Sequence, residues 1–159
     1  MRVLFLIIPF LFFACKANQP STKIDSTSTP IVFTEISSGT NGGFNKSGCS
    51  INRTQNEFNK TWSTAFDKFS EAPKPPRIDF ENEMIIIVSM GMKNSGGYTT
   101  KVNSIVEKKD IILLSVDESS PGKICATTDV ITFPYQLIRL KRIDKRIEVV
   151  YDKKTYNCD

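Results

Sequence analysis

Apolar residues recur along the chain with two different periods, and each period predicts one type of element. From Phe58 to Phe69 the apolar positions lie four, three, one and three residues apart, which is the repeat of an amphipathic helix. Thr54 and Glu57 have the spacing of a capping box at the start of this helix. Pro73 and the prolines after it prevent the helix from continuing. We therefore predict one long helix with an apolar stripe facing the core.

The other apolar segments have the composition of β-strands. Met84 to Val88 is apolar at every position and predicts a central strand that is covered on both faces. Further strands are predicted at residues 31–36, 98–106, 111–116, 130–140, 143–151 and 155–158. The sequence "EKKD" between the second and third of these is short enough for a hairpin. Pro134 favours an edge or a bulge for its strand, because proline cannot donate to a ladder.

These elements predict an α+β fold in a single domain, with one amphipathic helix packed on a mostly antiparallel sheet. Residues 37–48 are rich in glycine, serine and asparagine and predict a loop before the helix. Residues 31–159 are enough for one domain with one core.

The first residues have a composition unlike the rest of the chain. Arg2 is followed by an apolar run from Val3 to Ala14, which is typical of a signal peptide and too short to span a membrane. "LFFAC" resembles the lipobox of bacterial lipoproteins, and this resemblance implies that Cys15 carries the lipid anchor after residues 1–14 are removed. We expect residues 15–30 to form a flexible tether. An ordinary signal peptide with a chance cysteine is the alternative.

This interpretation predicts a lipoprotein of the bacterial cell envelope, located on the periplasmic face of the outer membrane. The partners that it predicts are the membrane, through the lipid, and another protein. The formal net charge is +4 with both signs interspersed, a distribution too even to predict a nucleic-acid partner.

The absence of histidine limits the chemistry that the chain can perform. The sequence has no histidine, which excludes Ser-His and Cys-His nucleophile pairs and histidine-bound zinc. We expect no metal, no cofactor and no catalytic residue. The alternative is an envelope hydrolase that uses paired carboxylates or a serine. Its candidate groups are Asp79 with Glu81, Asp117 with Glu118, and Ser119 or Ser120 with Lys123.

Three cysteines follow Cys15, at Cys49, Cys125 and Cys158. An exported protein lies where disulfides persist, and three thiols allow one bridge in three ways. We predict a bridge from Cys49 to Cys158, because it would close a loop over most of the domain and hold the chain end.

The stretch "GMKNSGGYTTKV", residues 91–102, begins like a phosphate-binding loop. Gly97 and Tyr98 stand where such a loop needs lysine and then serine or threonine, and strand formers follow instead of a helix. We therefore predict a turn between two strands, with Gly96 and Gly97 free to adopt positive φ. Met90, Met92 and Tyr98 would form an adaptable contact patch around it.

The order of motifs from Asp79 and Phe80 onward resembles the PrcB C-terminal family of bacterial envelope lipoproteins. The other matching residues are Gly91, Gly96, Gly97, Tyr98, Pro121, Thr132, Pro134 and Tyr135. The family takes its name from an accessory lipoprotein of a surface protease complex, so the resemblance implies a non-catalytic binding subunit. We predict that the partner binds at Gly91, Gly96, Gly97, Tyr98, Pro134 and Tyr135. A protease inhibitor that presents the same loop is a further alternative.

Overall fold

A computed structural model describes residues 28–158 of the chain. The elements in chain order are β1 (Thr29–Pro30), β2 (Phe33–Gly39), β3 (Ser47–Asn52), α1 (Gln55–Ala65), β4 (Glu83–Met90), β5 (Thr99–Glu107), β6 (Ile111–Pro121), β7 (Tyr135–Lys141) and β8 (Arg146–Tyr156). The predicted signal peptide, Cys15 and residues 16–27 of the predicted tether lie outside the described residues. Within the described part, the helix is neither long enough nor apolar enough to cross a membrane.

The strands form two four-stranded sheets. Sheet A has the strand order β1-β5-β6-β8, and sheet B has the order β2-β7-β4-β3. Every neighbouring pair is antiparallel except β6 and β8, which are parallel. The chain can pair β6 with β8 in parallel because β7, which lies between them in sequence, belongs to the other sheet. The predicted single sheet is therefore corrected to two, and the fold is mostly β.

The main core lies between the two sheets. It is built from alternate residues of β4 and β7 on one side and of β5 and β6 on the other, namely Met84, Ile86, Val88, Val102, Ile105, Ile112, Leu114, Val116, Ile138 and Leu140. A second cluster lies on the opposite face of sheet B, where α1 packs, and consists of Phe58, Trp62, Ala65, Ile85, Ile87, Tyr135 and Leu137. Every residue from Met84 to Val88 is buried, which confirms that this strand is covered on both faces.

The helix begins where the sequence predicts and ends earlier. Thr54 and Glu57 make both reciprocal hydrogen bonds of the capping box. The helix stops at Ala65, and Phe69 beyond it is exposed. The Thr64 carbonyl accepts the Gly43 amide of the preceding loop at 2.8 Å. That bond, together with a turn bond from Asp67 to the same carbonyl, takes the place of the next helical hydrogen bond.

Several strands differ from the prediction because their pairing depends on distant partners. The end of the predicted loop and the residues after it form the edge strand β3, Ser47–Asn52, which pairs with β4, and its Cys49 and Ile51 pack against the main core. β7 begins after Pro134 and lies between β2 and β4, so it is an inner strand and not an edge. The predicted hairpin of β5 and β6 is confirmed. The last strand, β8, is continuous through Tyr156.

Candidate functional site

The glycine loop, residues 91–98, leads from the inner strand β4 of sheet B to β5 of sheet A. Gly91 has φ +68° and Gly97 has φ +89°, so both occupy the left-handed region that favours glycine. Gly96 has no positive φ, and a Cβ there would lie 2.4 Å from the Thr128 Oγ1, so a larger residue would require the Thr128 side chain to move. The prediction of a turn between strands is confirmed, but the positive φ angles are at Gly91 and Gly97.

The glycine loop is held by the return segment, which we define as residues 122–134. The Lys93 amide donates to the Thr132 carbonyl at 2.8 Å, and the Thr132 amide donates to the Lys93 carbonyl at 2.9 Å. The Gly96 amide donates to the Thr128 carbonyl at 3.0 Å, and the Thr132 hydroxyl donates to the Ser95 carbonyl at 2.8 Å. These four bonds join two loops of the sequence into one surface.

The end of β8 holds the same surface from the other side. The Tyr156 hydroxyl donates to the Gly97 carbonyl at 3.0 Å, and a Cβ at Gly97 would lie 2.7 Å from that hydroxyl oxygen. A disulfide joins Cys125 of the return segment to Cys158, which follows β8. The glycine loop, the return segment and the chain end are therefore fixed to one another.

The predicted bridge from Cys49 to Cys158 is wrong. Cys49 is a free thiol on β3, and its side chain packs against the main core between the sheets. Burial raises the pKa of the Cys49 thiol to about 11. Cys158 instead lies beside Cys125, because Tyr156, the last residue of β8, pairs with Pro121, next to the return segment that carries Cys125.

Apolar side chains are exposed on both of the joined loops. Met92 of the glycine loop is 52% exposed, and Val130 and Ile131 of the return segment are 53% and 59% exposed. Met92 precedes Lys93 and Ile131 precedes Thr132, and Lys93 and Thr132 form an antiparallel bridge between the two segments. We call the three exposed residues Met92, Val130 and Ile131 the apolar loop surface. Exposed apolar area is a feature of sites where other proteins bind.

Tyr98 lies beside this surface, half-buried at the end of the glycine loop. The Lys93 ammonium lies 5.4 Å from the centroid of the Tyr98 ring, within the range of a cation-π contact. The predicted contact patch of Met90, Met92 and Tyr98 is corrected in one member, because Met90 is only 5% exposed.

Pro134 and Tyr135 lie beneath the loops and not at the surface. Both are buried. The Tyr135 ring packs against Phe44 with 5.4 Å between ring centroids, and its hydroxyl is 3.0 Å from the Ser37 hydroxyl. The Pro134 carbonyl accepts the Met90 amide at 3.0 Å. Gly96 lies against the return segment and Gly97 against the end of β8, whereas Gly91 is buried against residues 45–47. Pro134 and Tyr135 lie in the core.

Sequence reasoning missed Val130 and Ile131 as surface residues. It assigned them to a strand because both are β-branched and apolar. The available signal was their position, since Asp129 precedes them and Pro134 follows closely. Such flanking residues are typical of a loop.

The two carboxylate pairs considered for hydrolysis have different surroundings. Asp117 and Glu118 are consecutive in β6, so their side chains point to opposite faces of sheet A. Glu118 is 7% exposed and faces inward, with the Lys153 ammonium 3.6 Å away. The Asp79 carboxylate accepts hydrogen bonds from the Asn82 side chain and the Glu81 amide, which lower its pKa. Among residues 28–158, no three acidic or cysteine side chains could together hold a metal ion.

Part of the chain matches a protein-family model. Residues 84–141 match the family model described as PrcB C-terminal, which confirms the resemblance. The matched segment runs from β4 to the end of β7 and contains the glycine loop and the return segment. No curated protein sequence matches the chain, and no solved structure does.

Proposed function

We propose that this chain, whose residues 84–141 match the PrcB C-terminal family, is a non-catalytic accessory subunit that binds a protein partner in the bacterial cell envelope. The family is named for a subunit of a surface protease complex, so a protease complex is the class of partner that we propose. A lipid on Cys15 would hold the domain at the membrane, and the tether before Ser28 would set its reach.

The observation that carries this proposal is the exposure of the apolar loop surface. Met92, Val130 and Ile131 are each more than half exposed, although burial of such side chains is favourable by about 25 cal/mol per Å² of apolar area. A partner that covers them recovers this free energy. Methionine also adapts its shape to a partner more readily than branched residues do.

The way the apolar loop surface is held also favours binding. Four hydrogen bonds join the glycine loop to the return segment, and the Cys125–Cys158 disulfide fixes the return segment to the chain end. A surface that is already ordered loses little conformational entropy when a partner binds. Less of the favourable free energy of the contacts is then offset by the cost of ordering the loops.

The side-chain chemistry supports a binding role over catalysis. The chain has no histidine, and the Asp117 and Glu118 carboxylates point to opposite faces of their sheet. The Ser95 and Thr132 hydroxyls of the two segments donate hydrogen bonds to backbone carbonyls. An experiment on the proposed function should therefore measure partner recovery and not substrate turnover.

The test uses two valines with equal exposure. Val130 belongs to the apolar loop surface and Val150 lies on β8, and each is 53% exposed. The full-length lipoprotein would be recovered from detergent extracts as wild type, Val130→Lys and Val150→Lys, with partners quantified by mass spectrometry. We expect Val130→Lys to reduce recovery of the partner about tenfold, because a charge replaces a desolvated apolar contact. Val150→Lys, flanked by Glu148 and Asp152, should leave recovery unchanged.

Two results would reject this surface as the binding site. One is equal recovery with Val130→Lys and wild type, when circular dichroism shows both folded. The other is an equal loss with Val150→Lys, which would indicate a general effect of charge. A separate measurement addresses the anchor: Cys15→Ser should move the protein from the membrane fraction to the soluble fraction.

A further inference from the structure

Each sheet has a strand edge that is unpaired over at least part of its length, and these two edges lie on the same side of the molecule. β5 pairs with β6 along its length, but β1 covers its other edge only at Val106 and Glu107. In the part of the chain that the structure describes, Thr99 to Asn103 therefore has a strand partner on one side only. β2 at the edge of sheet B likewise pairs with β7 alone. The backbone groups on such edges are available to another strand.

A groove lies between these two edges. Its wider part has a volume of about 520 Å³ and is lined by Phe33, Glu35, Lys101, Val102, Asn103, Asp117 and Gln136. A narrower part of about 180 Å³ is lined by Ser38, Gly39, Thr40, Thr99, Thr100 and Tyr135. Both parts have β2 as one wall and β5 as the other, and we call them together the β2–β5 groove. The wider part alone has the size of a ligand site.

At the floor of the groove, the Gln136 side chain takes the place of a neighbouring strand at one position of β5. Gln136 is 2% exposed, and its Oε1 accepts the Val102 amide at 2.6 Å. The Gln136 Nε2 donates to the Glu35 carboxylate. A side-chain carbonyl thus occupies the place where the carbonyl of a paired strand would lie. The Val102 amide therefore points to the free edge of β5.

Thr100 also directs its backbone groups toward the free edge of β5. Among residues 28–158, no side-chain carbonyl takes the place of a paired strand there. Residues two apart in a strand direct their backbone groups to the same side, so the Thr100 amide and carbonyl face the groove with those of Val102. The Thr100 Oγ1 is buried and has no hydrogen-bond partner among residues 28–158, and the residue is 7% exposed. A buried hydroxyl without a partner is destabilising. A segment with backbone amides and carbonyls would satisfy these groups.

The chain itself pairs with the other half of this edge. Thr29 and Pro30 pair antiparallel with Glu107 and Val106, and the Ile31 amide donates to the Ile105 carbonyl at 2.9 Å. The chain then leaves sheet A and enters sheet B at Phe33. The remaining edge of β5 continues the line that β1 begins.

The charges on the groove favour one class of side chain. Two carboxylates, Glu35 and Asp117, and one ammonium, Lys101, line the wider part. The hydrogen bonds from Gln136 and from Ser38 lower the pKa of Glu35, so its carboxylate is ionised at neutral pH. The lining therefore has one negative charge in excess, which complements a lysine or arginine.

We propose that the β2–β5 groove binds an extended peptide segment of a partner protein, which adds to sheet A as an antiparallel strand along Thr99 to Asn103. The segment continues the line of β1 and places a lysine or arginine beside the Glu35 carboxylate. Its backbone pairs with Thr100, and its other side chains face β2 or solvent in alternation. The groove is separate from the apolar loop surface, so each can be tested without the other.

The test begins with a library of linear eight-residue peptides displayed on phage and selected against the full chain. We expect enrichment of β-branched residues together with lysine or arginine. Synthetic copies of the selected peptides would then be N-methylated on alternate amides, in two sets. The set that faces β5 should weaken binding at least tenfold, because the ladder bonds are lost, and the other set should not. Hydrogen exchange should slow at the Thr100 amide when the unmodified peptide binds.

Substitutions separate this groove from other surfaces. Glu35→Gln should weaken a lysine-containing peptide about two- to fivefold, as expected for an exposed ion pair. Glu148→Gln, which removes an exposed carboxylate from β8, is the matched control and should change nothing. Val130→Lys should also leave peptide binding unchanged, because it alters only the apolar loop surface.

Four results would overturn the proposal. The first is that no peptide is enriched. The second is that both methylated sets bind equally, or that the Thr100 amide is not protected. The third is that binding is lost in Val130→Lys and kept in Glu35→Gln, which would assign the peptides to the apolar loop surface. The fourth is protection of Thr100 that rises with protein concentration in the absence of peptide, which would identify a second copy of the chain as the occupant.

Discussion

Sheet A and sheet B contain similar strands but differ in how many of their faces are covered. In β4 of sheet B every residue from Met84 to Val88 is buried, because α1 covers one face and sheet A covers the other. In β6 of sheet A buried and half-exposed residues alternate from Ile111 onward. A continuous apolar run thus indicates a strand between two layers, and alternation of apolar and polar residues indicates a strand with one covered face.

The uncovered parts of sheet A are also where both proposed surfaces begin. The glycine loop enters β5, and the β2–β5 groove follows the free edge of the same strand. In sheet B, β4 and β7 lie in the core, as the burial of Tyr135 under the loops illustrates. The comparison predicts that the covered faces of both sheets determine stability, and that the glycine loop, the return segment and the β2–β5 groove carry the interactions.

The largest effect on the free energy of unfolding is expected from alanine substitutions at adjacent residues of β4 and of β6. Ile85→Ala and Ile86→Ala should each lower the free energy of unfolding by about 2–5 kcal/mol, because both side chains are fully buried on opposite faces of β4. In β6, Leu114→Ala should cost a similar amount, whereas Leu113→Ala should cost roughly 1 kcal/mol or less. Urea unfolding followed by circular dichroism measures all four. Equal costs at Leu113 and Leu114 would mean that the outer face of sheet A is covered in solution.

Removal of the disulfide should have the next largest effect. Cys125 and Cys158 are separated by 33 residues in the sequence, and loss of a bridge over such a loop lowers stability by about 2–4 kcal/mol through the unfolded chain. The double substitution Cys125→Ser with Cys158→Ser should show this in urea unfolding without reductant. Cys49→Ser is the control, since it breaks no bridge. Peptide mapping that finds Cys49 in a disulfide would contradict the structure.

A smaller effect of opposite sign is expected at the free edge of sheet A. Thr100→Val removes a buried hydroxyl that has no partner among the described residues, so it should raise the free energy of unfolding by about 1 kcal/mol. Thr99→Val is the matched control, because Thr99 is the exposed neighbour in the same strand. If Thr100→Val destabilises the protein, the hydroxyl has a partner in solution.

The smallest effect concerns pH and the contact that joins the two sheets at the groove. Hydrogen bonds from Gln136 and Ser38 lower the pKa of Glu35 below its ordinary value of 4.5. A lowered folded-state pKa adds stability above pH 4.5, and this stability disappears as the pH falls through the folded-state pKa. The melting temperature of wild type should therefore exceed that of Glu35→Gln at pH 7, and the difference should shrink on acidification below pH 4.5. A constant difference would show that the carboxylate charge is not responsible.

Several features of this protein follow from short stretches of its sequence. The capping box at Thr54 and Glu57 predicted the start of α1, and the structure shows both of its hydrogen bonds. The apolar run from Met84 predicted a strand covered on both faces, and the four residues "EKKD" predicted the hairpin of β5 and β6. These predictions succeed because each depends on residues that are close together in the sequence. The resemblance to the PrcB C-terminal family also lies within one continuous segment.

The candidate site could be predicted only in part. The turn at the glycine loop was identified from its own sequence, and the structure shows positive φ at Gly91 and Gly97. Val130 and Ile131 were missed because their β-branched side chains favour a strand, whereas the hydrogen bonds from Lys93 hold this segment as part of a loop surface. Pro134 and Tyr135 were expected at the surface, but packing of Tyr135 against Phe44 draws them into the core.

Only the tertiary structure decided which distant segments meet. It divided the strands between two sheets, made the polar residues Ser47–Asn52 an edge strand, and paired Cys125 with Cys158 in place of Cys49. It also formed the β2–β5 groove, in which Gln136 bonds to Val102 across a separation of 34 residues. The local pattern of apolar residues predicts how many faces of a strand are covered. It does not predict which residues cover them, because those residues come from distant parts of the chain and their packing depends on the free energy of the whole fold.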